Sequence, residues 1–574
     1  MTRIASALSI VAFALLQGCA QFGMPTTQRD TSFGPVIGRA DEAGGLSWKG
    51  VPFAQPPVGS LRWKAPADPL PWTQPRATSA FAPACVQTGR LYSPGASGGY
   101  DDTIGSRLGK TVGSEDCLYL NIWVPAGRPA APRPVIVWIY GGSNITGYTA
   151  DPVYDGAALA RSQDAVVVSV AYRVGIFGFL DAAVLKSGNA EDDSGNFALL
   201  DIVKGLEFVQ REIANFGGDA ARVTLMGQSA GAVNIYALLA SPMVVARPRP
   251  LFHRFVALSG GISTAATLPP GAIPGVLPKP VWEARGEALL LQSLIAAGQA
   301  NDEAGARVLA GARGAQAMAE HLRGLSADAL LDTVRTRLAP RGMATSNPIP
   351  DGWVVAPDPI AAMRAGRYVK VPVLAGNTRD ETKLFPQLLA IRPDLGGVSG
   401  RLLDDAALFA IVSRRDAGAA SATTIEKWIP AAYLPVDKPG AGFNARTAEL
   451  GRIWFDAIRI DALNALRSQQ LDVWFYEFDW DRLPKPYDVI YGAAHTFDLP
   501  FIFGNFGPSL YANIIVTPAN ERGRLALSEK MMRSIGAFAR RGDPNNGALG
   551  VAWQPWPSRL LFGADDERAN IRAR

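Results

Sequence analysis

Apolar runs with almost no polar alternation constrain this chain more than any other feature. They are VIVWIY (135–140), AVVVSVAY (165–172), RVTLM (222–226), FVALSG (255–260), VPVLAG (371–376) and VWFYEF (473–478). A strand with one wet face alternates apolar and polar residues, so strands this uniform are covered on both faces. Between two of the runs, the segment 201–215 puts Ile202, Leu206, Val209 and Ile213 on one helical stripe. Strand–helix alternation of this kind predicts an α/β fold with a large, mostly parallel sheet flanked by helices. Residues 34–72 carry Gly and Pro around aromatic positions and read as short strands and turns. Residues 264–345 and 395–450 lack strand patterning and read as helical insertions between strands. Length alone would allow three or four domains. With no internal repeat and no separating linker, a single body over 34–574 is expected. The 48% hydrophobic and 19% charged residues exclude a mainly disordered chain. A net charge of +5 without a dense Lys/Arg run argues against a nucleic-acid partner. Three Cys and three His, far apart, argue against a zinc module, and no metal or cofactor is expected.

The N-terminus carries an address. Arg3 precedes an apolar run of 13 residues, Ile4 to Leu16, short of the roughly 20 that a membrane helix needs. A basic start and a short apolar core read as an export signal over residues 1–18. The run ends Leu16-Gln17-Gly18-Cys19, which resembles a bacterial lipobox. That resemblance implies a diacylglyceryl group on Cys19 and a lipid anchor on a bacterial membrane. Ala20 in place of Asp leans towards the outer membrane, facing the periplasm or the cell exterior. Residues 19–33 are polar and breaker-rich, as a tether would be. In an oxidising compartment, the remaining Cys85 and Cys117 favour a disulfide over two buried thiols.

The sharpest chemical motif is Gly227-Gln228-Ser229-Ala230-Gly231. RVTLM before it is a strand, and AVNIYALLA after it continues as a helix. That strand–turn–helix setting is what a nucleophile elbow requires, with small residues two positions either side of the serine. The helix N-terminus beneath it favours developing negative charge.

Phe216-Gly217-Gly218, four residues, then VTLMGQSAG resembles the serine signature of the type-B carboxylesterases, a family of cholinesterases, para-nitrobenzyl esterases and some fungal lipases. Glu115 to Ile122, EDCLYLNI, fits the second signature of that family. The resemblance continues in GVPFAQPPVGSLRW (50–63), GFL (178–180), AAHTFDLPFIFG (493–504) and FARRGDPN (538–545). It covers nearly everything after residue 34, and implies an α/β-hydrolase fold with a Ser–Glu–His triad in that chain order.

On this resemblance the catalytic residues are Ser229, Glu381 and His495. His253 and His321 read as surface or packing histidines. Asp380 neighbours Glu381, but consecutive side chains point apart, so only one of them faces His495. Asp498, three residues past His495, reads as a turn residue. The backbone N–H groups of Gly142, Ser143 and Ala230 are the implied oxyanion hole. The family usually has an aromatic residue where Asn144 stands, so the pocket beside the hole is expected to differ in shape. The Cys of EDCL pairs with an upstream Cys in relatives, which implies Cys85–Cys117. Arg62–Glu115 and Arg173–Asp201 match family salt bridges, and Ser259 matches a serine near the triad.

These residues imply hydrolysis of small-molecule carboxylic esters through an acyl-enzyme, without cofactor. A broad carboxylesterase fits before a lipase or an esterase dedicated to one xenobiotic or natural-product ester. The insertions are expected to roof the site, their apolar side chains setting preference. Amide hydrolysis remains open on a triad alone. A non-catalytic adhesion-type module, the alternative of another class, would show a substituted Ser or His, whereas all three residues are present.

Overall fold

The computed structural model describes residues 27–127, 129–269, 271–385, 405–413, 415 and 423–574. Cys19 lies outside the described residues, as do 395–404, 414 and 416–422 of the second expected insertion. One eleven-stranded sheet organises the chain. Its strands are β1 (Arg39–Ala40), β2 (Leu46–Pro52), β3 (Tyr119–Val124), β4 (Arg133–Ile139), β5 (Val166–Val170), β6 (Gly218–Gln228), β7 (Arg254–Leu258), β8 (Val373–Thr378), β9 (Val473–Phe478), β10 (Leu560–Ala564) and β11 (Ala569–Ala573). Their spatial order is β11-β10-β9-β8-β7-β6-β4-β5-β3-β2-β1. Every pairing from β5 through β10 is parallel, and the strands at both margins pair antiparallel. All residues of β4, β5 and β8 are buried, which is why their sequences lack alternation.

Strand β3 begins inside the second family signature and carries a buried polar residue, Asn121. Its amide donates to Ser169 Oγ at 2.9 Å and accepts from Gly50 N–H at 2.9 Å. The second bond falls where the β2–β3 register shifts between Trp48 and Val51. The side chain thus satisfies a backbone group that the irregular ladder leaves free.

Helix α1 (Phe197–Glu212) carries the expected stripe and ends through a 3₁₀ turn at Gly217, whose φ of +82° closes it in the left-handed region. From α1, Asp201 meets Arg173 through two side-chain bonds of 2.8 Å, both partners buried. Arg62 binds Glu115 in a fork and also donates to the Leu325 carbonyl at 2.6 Å. That guanidinium ties the first residue of the second signature to the first insertion. The helices of the insertion, Lys279–Ala296, Glu303–Gly324 and Ala327–Thr333, form a second core. There Leu289, Leu294 and Leu322 pack with Trp63, Phe177 and Leu180.

Cys85 and Cys117 are joined by a disulfide beside this junction. No helix among the described residues is long and apolar enough to cross a membrane.

The end of the expected tether needs correction. Residues Gln28–Thr31 form a strand paired antiparallel with Gly34–Ile37. Ser32 N–H donates to the Glu212 carboxylate, Asn215 donates to the Asp30 carbonyl at 2.9 Å, and Phe33 is buried. Polar residues are at home here because Gln28–Thr31 alternates exposed and half-buried positions and the turn ties its polar groups into hydrogen bonds. Composition read that exposure as a linker.

Candidate active site

Loops at the carboxyl ends of neighbouring parallel strands collect the expected residues, the place where open α/β sheets bind ligands. Ser229 follows β6 directly and is the residue before helix α2 (Ala230–Leu239). Its φ of 54° and ψ of −124° make the turn. A Cβ on Gly227 would lie 2.7 Å from the Gly231 carbonyl oxygen. One on Gly231 would lie 2.3 Å from that of Ile139 and 2.4 Å from that of Tyr140. The glycines of the motif are therefore required by close backbone approach to β4 and to the start of α2. Ser229 N–H is held by the Leu258 carbonyl at 2.8 Å. Among the described residues, seven non-glycine positions have positive φ, and Ser143, Asn144, Ser229, Ser259 and Thr496 of these cluster at the strand ends. Such conformations cost of order 1–3 kcal/mol each and persist where the surroundings enforce them.

The loop after β8 supplies Glu381, buried to 5% exposure. One carboxylate oxygen accepts from Thr378 N–H at 2.8 Å, and the other lies 2.5 Å from His495 Nδ1. Asp380 points elsewhere: it accepts from Ala493 N–H at 3.0 Å and pairs with Arg379 and Lys383. Phe385 and Phe455 pack on the imidazole, with ring centroids 5.1 and 5.2 Å away, and Trp454 backs both. Asp498 lies fully buried beneath this group and takes the Tyr476 hydroxyl at 2.7 Å. Burial, reinforced by the nearby Glu381 charge, pushes its carboxyl up to about 6.

Gly142 and Ser143 lie in the loop after β4, with φ of +109° and +56°. Their N–H groups donate to no protein acceptor among the described residues. The N–H of Ala230, first residue of α2, has no intrahelical acceptor by position. Asn144 is fully buried and exchanges two amide hydrogen bonds with Asn234 of α2, at 2.8 and 3.0 Å. It therefore anchors the loop to the helix and does not line a pocket. Its pairing partner lies 90 residues away, so the sequence could not assign it.

Gln228 was passed over in the sequence, because the position before the serine is unrestricted in the motif. Its Nε2 lies 3.1 Å from His495 Nε2. Ser229 Oγ makes no hydrogen bond among the described residues. Ser259 Oγ is buried and also has none. His253 Nδ1 accepts from Val223 N–H at 3.3 Å, and His321 Nε2 lies 3.1 Å from Ser293 Oγ, so both serve packing far from Ser229 in the fold. The aromatic side chains that cover His495 come from residues 385 and 455, which flank the second expected insertion. The helices of the first insertion pack instead on the flank built from Trp63 and Phe177. No group of His, Cys, Asp and Glu suited to a metal ion occurs among the described residues.

The model of the carboxylesterase family matches residues 25–561. Fumonisin B1 esterase of Sphingopyxis macrogoltabida is 31% identical over 548 residues, 92% of this chain and 84% of that protein. Para-nitrobenzyl esterase of Bacillus subtilis is 31% identical over 536 residues, 92% and 91% of the two chains. Among solved structures, a carboxylesterase of Geobacillus stearothermophilus superimposes with a TM-score of 0.68 at 28% identity, covering 95% of this chain and 98% of that one. A para-nitrobenzyl esterase structure superimposes with a TM-score of 0.70 at 26% identity, covering 96% and 97%. With an α/β-hydrolase sheet, a serine on a strained strand–helix turn and a buried carboxylate–imidazole pair at the carboxyl ends of its strands, the chain belongs to the carboxylesterase family and is a type-B carboxylic ester hydrolase.

Proposed function

We propose that Ser229, His495 and Glu381 carry out the ester hydrolysis as nucleophile, base and orienting carboxylate. The observation that carries this reading is the 2.5 Å contact between Glu381 and His495 Nδ1, made across the carboxyl ends of β8 and β9 beside the Ser229 elbow. Glu381 holds the proton of the neutral ring on Nδ1, which leaves the Nε2 lone pair for the serine. As Ser229 Oγ attacks the ester carbonyl, its proton passes to Nε2. The carbonyl oxygen becomes an oxyanion facing the free N–H groups of Gly142, Ser143 and Ala230, each worth about 2.7–4 kcal/mol in such a site. Collapse expels the alcohol, which takes the proton from His495. Water then adds to the acyl-enzyme with the same base, releasing the acid and regenerating Ser229.

The aromatic pair Phe385 and Phe455 suits esters with an apolar acyl or alcohol group, and a broad range of small esters fits this wall. The test is a panel of para-nitrophenyl esters of graded acyl length, run on the wild type and on Ser229→Ala. The wild type is expected to cleave the panel and the variant to be silent. Full cleavage by Ser229→Ala would remove the assignment. Matched anilides, slower by orders of magnitude, would separate esterase from amidase.

The same reading places the enzyme on a bacterial membrane through Cys19. What supports it is the Leu16-Gln17-Gly18-Cys19 run after a short apolar core. Cys19→Ala is expected to abolish metabolic labelling by a fatty acid and membrane partitioning. An unacylated mature N-terminus would refute it.

A further inference from the structure

The base that Ser229 needs holds another partner in the structure. Gln228 Nε2 lies 3.1 Å from His495 Nε2, whereas no hydrogen bond joins His495 to Ser229 Oγ among the described residues. With Glu381 at Nδ1 and the proton there, Nε2 carries only a lone pair. An amide nitrogen at that atom can therefore only be donating to it. The amide is not a surface group that happens to reach. Gln228 is 2% exposed and is the last residue of β6, paired in register with Leu258. Its Oε1 sits against Gly141, where an added Cβ would come within 2.7 Å. The carboxamide is thus lodged between the oxyanion loop and the imidazole.

We propose that the Gln228 carboxamide is a cap on the catalytic base, occupying the His495 lone pair in the free enzyme and moving off it before Ser229 can be deprotonated. Gln228 is then a positioning residue that sets what fraction of the enzyme is poised for acyl transfer. This rests on the assignment of Ser229 and His495 given above. An imidazolium would turn an Nε2–H towards the amide N–H groups. Substrate entry or a protonated ring must rotate the carboxamide, and each removes the same hydrogen bond.

The electrostatic surroundings of the imidazole are otherwise fixed. Glu381 faces it from the loop after β8, and Asp498 from the segment beyond His495. Tyr476 of β9 reaches it through Asp498, and Asp456 and Arg459 stand behind Glu381. Phe385 and Phe455 cover the ring. Substitution at residue 228 leaves all of these in place.

The experiment follows the rate constant for inactivation by phenylmethanesulfonyl fluoride, in which Ser229 Oγ bonds to sulfur, fluoride leaves and His495 takes the proton. It is read on the full chain from about pH 5 to about pH 9, alongside kcat/KM for a para-nitrophenyl ester. Gln228→Met keeps the length and removes the donor. It is expected to raise the plateau inactivation rate about 2- to 12-fold, the factor that one hydrogen bond is worth. Its acidic limb is expected to move to higher pH. Gln228→Glu replaces the donor by an acceptor for the imidazolium and is expected to move the limb further, by roughly one to two units. A Gln228→Met plateau that stays or falls, with the limb unmoved, overturns the cap. Should Gln228→Met misfold, the isosteric Gln228→Glu decides alone, and an unmoved limb overturns the proposal. The underlying assignment fails separately. Inactivation that survives in Ser229→Ala would remove it, whereas a dead Ser229→Ala with wild-type behaviour in both Gln228 variants would remove only the cap.

Discussion

Asp498→Asn is expected to change stability in a pH-dependent way that its contacts alone would not suggest. The Asp498 carboxyl is fully buried, with one oxygen bonded to Tyr476 and the other without a partner among the described residues. Burial pushes it from 3.8 up to about 6. A folded-state value above the unfolded one means that the native protein binds the extra proton between about pH 4 and pH 6. Stability contributed by this group is therefore present below that window, is lost as pH rises through it and is flat above. That rise from 3.8 to about 6 corresponds to ~3 kcal/mol. Asparagine still accepts from Tyr476 but carries no charge to bury. Its own unpaired NH₂ carries a penalty of about 1–3 kcal/mol, which does not vary with pH. The measurable quantity is therefore the difference between variant and wild type as pH changes. It should favour the variant by ~3 kcal/mol more at about pH 8 than at about pH 4. At an unfolding entropy of about 2.1 cal/mol/K per residue, this is a relative Tm shift of about 2–3 °C. Differential scanning calorimetry at one fixed scan rate reads it. A variant-minus-wild-type Tm that is constant between those two pH values, or that moves the other way, refutes the argument.

Three further outcomes follow from the contacts described. Glu381→Gln is expected to lower kcat by roughly 10⁴-fold, and Asp380→Asn far less, because Asp380 faces Arg379, Lys383 and Ala493 N–H. Steady-state kinetics in which Asp380→Asn is the more damaged would reverse the assignment. Asp201→Ala leaves the Arg173 guanidinium buried without a counter-charge and is expected to cost about 3–5 kcal/mol. A Tm equal to the wild type would show that water reaches the arginine. Replacing Cys85 and Cys117 together by Ser opens a loop with a sequence separation of 32 residues and is expected to cost about 3–4 kcal/mol. Thermal unfolding with and without reductant checks this, and a double variant as stable as the oxidised protein argues against it.

The sheet was legible where strands are buried on both faces, because burial there leaves no polar residue to blur the run. VWFYEF coincides with β9 residue for residue. Strand β3 was readable only as a family signature, since its central Asn121 breaks the apolar pattern and is explained by a register shift in a neighbouring pair. Strand β11 was missed for the opposite reason: it is largely exposed and has no core face to pattern it. At the site, Ser229, Glu381 and His495 stood out because motif and chain order mark them. Gln228, the Asn234 partner of Asn144, and the Phe385–Phe455 wall did not. Each acts through a contact between residues far apart in sequence, and nothing local at any of them announces the partner. Composition likewise took residues 27–33 for linker when their polar groups are spent on pairing.

That early hairpin decides where the chain can be cut. Ser32 and Asn215 share the Glu212 carboxylate, which is 2% exposed. A shortened version starting at about residue 27 keeps the lid over that charge. A version starting after Phe33 would strip the Ser32 donors from a buried anion and uncover the apolar patch that Phe33 shares with Phe208. The practical boundary of the enzyme body thus lies several residues earlier than its signature motifs suggest, and secreted or tagged forms made for activity assays should respect it.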